Sequence, residues 1–242
     1  MKDSLTNEEG VFRFKRFDVR HSGAAMKVGT DGILLGAWCD TTDAVVVWDV
    51  GCGSGLIGLM IAQRSDASVT GIEIEADAAA EAEFNMANSD WSARLAVVRG
   101  DVCSLYKELP RPDLIVSNPP FYDNSPAAGT IKRQMARIET SLNVRSLVRI
   151  ASESHSDAGR MCLILPYSRS EEFEWECRLN RLFPRKRVDV RSRADKMPIR
   201  TLWEVSKFDG DFDLRTESIR NADNSYSEWY LKLTNDYYLY LK

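Results

Sequence analysis

Ala44-Val45-Val46-Val47-Trp48-Asp49-Val50-Gly51-Cys52-Gly53-Ser54-Gly55 joins a short apolar run to a glycine-rich turn, and a helical pattern from about Leu56 to Arg64 follows. The run Ala44 to Trp48 is β-branched and aromatic, which reads as a buried strand. Glycines after such a strand permit a tight turn and let a ligand approach the backbone beside a helix N-terminus. Working outward, Val69 to Ile74 reads as a second strand and Ala76 to Asn88, rich in alanine and glutamate, as a helix. Leu95 to Arg99 and Leu114 to Ser117 read as the third and fourth strands. A helix near Ser146 to Ser154 then precedes a fifth, Met161 to Leu165. Alternation of this kind implies a parallel sheet covered on both faces.

The ends of the chain differ. Arg187 to Arg193 and Leu202 to Phe208 alternate in polarity, the pattern of two further strands in a β-hairpin. The expectation is therefore an α/β protein with a seven-stranded, mostly parallel sheet and a C-terminal hairpin. Tyr226, Trp229, Tyr230, Leu233, Tyr237 and Leu241 fall close to helical spacing, which suggests an aromatic helix packed on the sheet. Before the first strand, Val11-Phe12-Arg13-Phe14-Lys15-Arg16-Phe17 alternates, and a helix from Asp31 to Trp38 follows. Residues 1–43 are read as an extension (hairpin and helix) that packs on a main domain, 44–242.

Of the 242 residues, 44% are hydrophobic, enough for a substantial core, and no repeat is visible. The longest apolar runs are too short to span a bilayer, and the first nine residues lack the apolar core of a secretory signal. The five cysteines, Cys39, Cys52, Cys103, Cys162 and Cys177, form no CxxC pair. That pattern suggests neither zinc nor disulfides, and a reducing cytoplasm is the expected home. The net charge is −4, yet Arg178 to Arg200 is strongly basic, as is the segment holding Lys132, Arg133, Arg137, Arg145 and Arg149. Such patches suit phosphates even on an acidic protein, although each is equally consistent with a solvated face.

Asn118-Pro119-Pro120-Phe121 ends the fourth strand. Two prolines cannot continue a ladder, and each holds the residue before it extended. The turn presents an amide, outward carbonyls and an aromatic face, a set suited to holding an amino group while stacking a flat ring. Glu73, at the end of the second strand, is placed to bind both hydroxyls of a ribose. Asp101, with Val102 after the third strand, is placed to meet an adenine amino group. Gly53-Ser54-Gly55-Leu56-Ile57-Gly58 also fits a dinucleotide fingerprint. Asp49 and Gly51 occupy the place where that fingerprint has its first glycine, and a nicotinamide site has no use for Asn-Pro-Pro-Phe.

Taken in this order and spacing, the glycine loop and Asn118-Pro119-Pro120-Phe121 resemble the class I S-adenosylmethionine-dependent methyltransferases that modify amino nitrogens, which have a Rossmann-like fold. Phe14-Lys15-Arg16-Phe17, the block Met26 to Trp38 and the Tyr226-Ser227-Glu228 tail are similar to the bacterial tRNA1(Val) adenine N6-methyltransferases. Members of that family methylate the adenosine immediately 3′ of the anticodon. The resemblance implies S-adenosylmethionine as cofactor, a tRNA anticodon stem-loop as partner, and no metal or membrane. It implies catalytic roles for Asn118, Pro119, Pro120 and Phe121. The cofactor would be held by Thr30, Asp49, Gly51, Gly53, Gly55, Glu73, Asp101, Val102 and Asn118. Thr30 would meet the methionine carboxylate, with Asp49 near the amino acid moiety. The family more often has tyrosine where this chain has Phe121, and phenylalanine is common there among ribosomal guanine N2-methyltransferases.

Plainer readings exist for each residue. Asn118 can cap its turn, Thr30 and Asp31 can cap the helix to Trp38, and Cys52 can be a small turn residue. His21 and His155 have no partner spacing and read as fillers. Lys27 can contact phosphate or simply solvate. The competing functions are methylation of guanine N2 in ribosomal RNA, methylation of a protein glutamine amide, and a binding or RNA-chaperone module without turnover.

Overall fold

Ten strands and seven α-helices make up residues 10–21, 28–120 and 142–240, which the computed structural model describes. An antiparallel pair, β1 (Val11–Arg13) and β2 (Asp18–Arg20), stands apart from the main sheet. Helix α1 (Thr30–Trp38) leads into β3 (Val46–Val50), α2 (Leu56–Arg64), β4 (Ser68–Glu73), α3 (Ala76–Ala87) and β5 (Leu95–Arg99). Next come α4 (Val102–Leu105), β6 (Leu114–Ser117), α5 (Val144–Ser154), β7 (Arg160–Pro166) and α6 (Ser170–Leu179). The chain then forms β8 (Phe183–Arg193), β9 (Pro198–Ser206), β10 (Asp213–Arg220) and α7 (Glu228–Thr234).

The main sheet has the order β10-β8-β9-β7-β6-β3-β4-β5. Strands β3 to β7 run parallel, β9 lies antiparallel between β7 and β8, and β10 adds parallel to β8. The expected α/β fold and the β8–β9 hairpin are present, but the sheet has eight strands rather than seven. The added strand, Asp-Leu-Arg-Thr-Glu-Ser-Ile-Arg, is an edge strand with its first half exposed, so it carries little apolar signal.

Side-chain alternation along the strands supplies two apolar layers. On one face Trp48, Val50, Ile115, Leu163 and Trp203 pack with Leu147, Val148 and Phe173 of α5 and α6. On the other, Val47, Val116, Ile164 and Leu202 meet Leu34 and Leu35 of α1, Ile57 and Ile61 of α2, and Tyr230 of α7. Helices α1 and α2 approach closely at Gly36, where a Cβ would lie 2.7 Å from the Met60 sulfur. The expected aromatic helix is short. Ser227 caps it, leaving Tyr226 outside, where its ring stacks on Tyr230 at 5.2 Å. Tyr237 lies beyond its end and donates to the Met60 carbonyl at 3.1 Å, and Leu241 is outside the described residues.

Candidate active site

The crevice lies at the carboxyl ends of β3 to β6. Strand order reverses there, because β3 has β4 on one side and β6 on the other. Open α/β sheets bind ligands at such a point. Asp49 and Val50 are the last residues of β3 rather than part of the turn. Gly51, Gly53 and Gly55 have φ of +69°, +55° and +80°, a left-handed conformation that L side chains rarely adopt. A Cβ on Gly53 would meet nothing within 4 Å, so the loop leaves an open cradle in front of α2.

Glu73, the last residue of β4, braces that loop. Its Oε2 accepts from the Gly53 amide at 2.9 Å, and its Oε1 accepts from the amides of Ile74 and Glu75 at 2.9 and 3.0 Å. Asp49 is fully buried, and its Oδ2 accepts from the Gly58 amide at 2.9 Å. Its Oδ1 has no partner among the described residues. Burial pushes its carboxyl up to about 7, the Gly58 amide opposes this, and the Glu73 charge adds to it. Cys52 is buried and its thiol is pushed well up, mainly by burial, so it stays protonated and serves as a small turn residue.

Asp101 follows β5 and caps α4, its Oδ1 accepting from the Cys103 amide at 2.9 Å, and Val102 beside it is buried. On the opposite lip the Ser117 hydroxyl donates to the Val50 carbonyl at 2.8 Å, tying the end of β6 to β3. Asn118 is therefore held at the crevice mouth, partly buried, with Pro119 buried behind it. No described residue hydrogen-bonds the Asn118 side chain. Phe121 and Lys27 lie outside the described residues.

Thr30 and Asp31 do not cap α1. Gly29 holds the N-cap position without a side-chain bond, Thr30 is exposed, and Asp31 pairs with Arg200 at 2.7 Å. The histidines are interior groups: His21 is buried, and His155 is fully buried with its imidazole pushed down to about 3, mainly by burial. Among the described residues no group of three or more His, Cys, Asp or Glu is placed to hold a metal ion, and no helix is long and apolar enough to cross a membrane.

Asn85 had no place in the expected site. It is 3% exposed, and its Nδ2 donates to the carbonyls of Ser54 and Arg20, each at 2.9 Å. Its Oδ1 accepts from the Arg20 amide at 2.9 Å, so one side chain fastens β2 to the glycine loop. A signal was present: Ala78, Ala79, Ala82, Asn85 and Met86 are the buried residues of α3, and an amide on that apolar stripe needs interior partners.

The family model described as methyltransferase small domain matches residues 4–157. A tRNA1(Val) (adenine(37)-N6)-methyltransferase of Citrobacter koseri is 39% identical over 99% of both chains. One of Cronobacter sakazakii is 40% identical over 95% of both. Among solved structures, a predicted O-methyltransferase of Agrobacterium tumefaciens aligns over 88% of this chain and 99% of its own, with TM-score 0.68 and 21% identity. The CcbJ methyltransferase of Streptomyces caelestis aligns over 74% of this chain and 90% of its own, with TM-score 0.56 and 12% identity. These two likenesses concern the fold alone, which is that of the class I methyltransferases. With a glycine cradle and Asn-Pro-Pro facing each other across the switch point, and with relatives of this identity along its whole length, the chain belongs to the methyltransferase family whose curated members are named tRNA1(Val) (adenine(37)-N6)-methyltransferases.

Proposed function

We propose that the chain transfers a methyl group from S-adenosylmethionine to the N6 amino group of adenine 37 in tRNA1(Val), in the cytoplasm. What supports this reading is Asn118 at the crevice mouth, with no hydrogen bond to its side chain from a described residue, across from a glycine loop with an open face at Gly53. The residues fit the cofactor. The buried Asp49 Oδ1, without a partner among the described residues, suits an ammonium group, and the open face at Gly53 suits close backbone approach. Glu73, held beside the loop by amide hydrogen bonds, keeps lone pairs that suit ribose hydroxyls. Asp101 retains a second carboxylate oxygen for the adenine amino group, with Gly51, Gly55 and Val102 lining the same edge.

When bound, S-adenosylmethionine supplies an activated methyl group. The protein's part is positioning. Asn118 Oδ1 and the Pro119 carbonyl accept the two N–H bonds of the substrate amino group, which lets the nitrogen pyramidalise and aim its lone pair. The two prolines keep those acceptors rigid, and Phe121 stacks on the extruded base. No strong base is required, since the proton leaves after the new bond has formed, and orientation supplies most of the acceleration.

Asn118→Ala removes one acceptor and should lower methyl transfer by about three orders of magnitude, the cost typical of one preorganised transition-state contact, with cofactor binding retained. Full activity in that variant would exclude the mechanism. Phe121 is the observation that favours a second reading, guanine N2 methylation. Nucleoside mass spectrometry of RNA from a strain lacking the protein, treated with enzyme and labelled cofactor, separates the two: N6-methyladenosine supports the first, and N2-methylguanosine replaces it with the second.

A further inference from the structure

We infer that the site-side ends of β8, β9 and β10 form the surface that receives the phosphate backbone of the RNA stem, an inference that rests on the tRNA reading above. The basic run between residues 178 and 200 is divided by the fold. Strand β8 is 11 residues long, so its ends lie about 33 Å apart. Of the cations before and along its first half, Arg181 is exposed and Arg185 lies 5.3 Å from the Phe208 ring centre, while three others are paired with carboxylates. Arg178 pairs with Glu174 at 2.6 Å, and Lys186 sits between Asp40 and Glu204 at 3.2 and 3.3 Å. Arg187 pairs with Asp189 at 2.6 Å and lies 4.8 Å from the Trp203 ring centre.

The other end is different. Arg193 lies opposite Arg220 in register, Arg191 opposite Ser218 and Pro198, and Arg200 opposite Pro166. Lys196 is in the turn between β8 and β9. Residues 191–200 and 218–220 together hold five cations, of which Arg200 pairs with Asp31 at 2.7 Å and Arg193 with Asp195, on a chain of net charge −4. Lys196 is exposed, and its ammonium has no hydrogen bond or ion pair among the described residues, though its charge acts on nearby Asp195. Arg191 and Arg220 donate to the carbonyls of Ala194 and Asn224, at 3.1 and 2.6 Å, and Arg220 also lies 4.1 Å from the Tyr226 ring centre, so neither is paired with a carboxylate among the described residues. The Arg193–Asp195 pair, at 2.6 Å, is partly exposed and contributes little in water, so a phosphate can compete for the guanidinium. Met197 and Ile199 on the same turn are 76% and 45% exposed, apolar surface suited to sugar and base faces.

This cluster shares an edge with the reacting turn. From Asn118 the sheet continues through β7, β9 and β8 to β10, four strand spacings or about 19 Å. The cofactor cradle follows β3, on the other side of Asn118. A base seated in the crevice would thus leave its flanking backbone over β9, β8 and β10. Phosphate contacts of this kind set register and orientation, and the base itself is read in the crevice.

The test uses the full chain and an unmodified anticodon stem-loop transcript of tRNA1(Val), with fluorescence anisotropy and methyl transfer measured between 50 and 200 mM salt. Lys196→Glu and Arg220→Gln should each weaken RNA binding several-fold and lower the slope of log K against log salt by about one. Thermal midpoint and S-adenosylmethionine binding should match the parent. Arg178→Glu, at a residue that lies before the far end of β8, about 33 Å from this cluster, should change neither RNA affinity nor slope. If the first two variants bind like the parent, or Arg178→Glu is equally weakened, the surface assignment is overturned while methylation by the parent still supports the tRNA reading. A parent that neither binds nor methylates the stem-loop overturns both.

Discussion

Replacing Asp49 with asparagine should make the protein more stable at pH 8 and weaken its hold on the cofactor. The carboxyl is wholly buried, one oxygen is satisfied by the Gly58 amide, and the other has no partner among the described residues. Its folded value, about 7, lies above the ordinary 3.8, chiefly because burial disfavours the charge. Between those values the folded state holds the extra proton. This group's contribution to stability is therefore full below about pH 4 and is lost as pH rises toward 7. Three units at ~1.4 kcal/mol each set an upper bound of about 4 kcal/mol, and relaxation around the charge reduces the expected gain to about 2–4 kcal/mol. Asparagine keeps an oxygen for Gly58 and cannot ionise. Urea denaturation of parent and Asp49→Asn from pH 4.5 to 8, without cofactor, yields the difference directly. His155 and the other buried groups are common to both proteins and cancel. Calorimetry with S-adenosylmethionine at pH 8 should show affinity reduced roughly 10–100-fold, the weight of one charge-assisted contact. A stability difference that does not change with pH, or an asparagine variant less stable at pH 8, would refute the reasoning.

Two further outcomes concern groups outside the reacting turn. Asn85→Leu deletes three hydrogen bonds and strands three backbone groups, so unfolding in urea should show a loss of about 2–4 kcal/mol. It should also raise the cofactor KM more than it lowers kcat, because Ser54 loses its anchor. His155 holds its folded value near 3 against an ordinary 6.5. The unfolded chain therefore takes up a proton first, and stability from this group is present above pH 6.5 and lost on acidification toward 3. His155→Leu should flatten that part of the stability–pH curve in urea melts, and an unchanged acid limb would show that other groups govern it.

The centre of the sheet was legible because buried parallel strands are short apolar runs cut by turn residues, as at Val46–Val50 and Leu114–Ser117. Glu73 was legible as a carboxylate closing such a run. The periphery was not. Strand β10 is polar along most of its length, and α6, Ser-Glu-Glu-Phe-Glu-Trp-Glu-Cys-Arg-Leu, buries only Phe173, Cys177, Ser170 and Glu176, too narrow a stripe to stand out. Distance along the chain also misleads in extended segments. Cations a few residues apart on β8 face different neighbours, so a run that reads as one basic surface is spread over two distant ends of the strand. Asp101 is both a helix cap and a site candidate, and only the cap could be read from its hydrogen bond.

The two ends of the described chain are stitched together. Phe14 bridges Tyr238, the Lys15 amide donates to the Tyr237 carbonyl at 2.8 Å, and the Lys15 ammonium donates to the Asn235 carbonyl, 220 residues away in sequence. During synthesis the hairpin fastened to the glycine loop by Asn85 leaves the ribosome about 220 residues ahead of its partners in this seam. At about 5–20 residues per second, the nascent chain waits more than ten seconds before that seam can close. The hairpin that Asn85 ties to the glycine loop therefore gains its second anchor only after the intervening chain has been made.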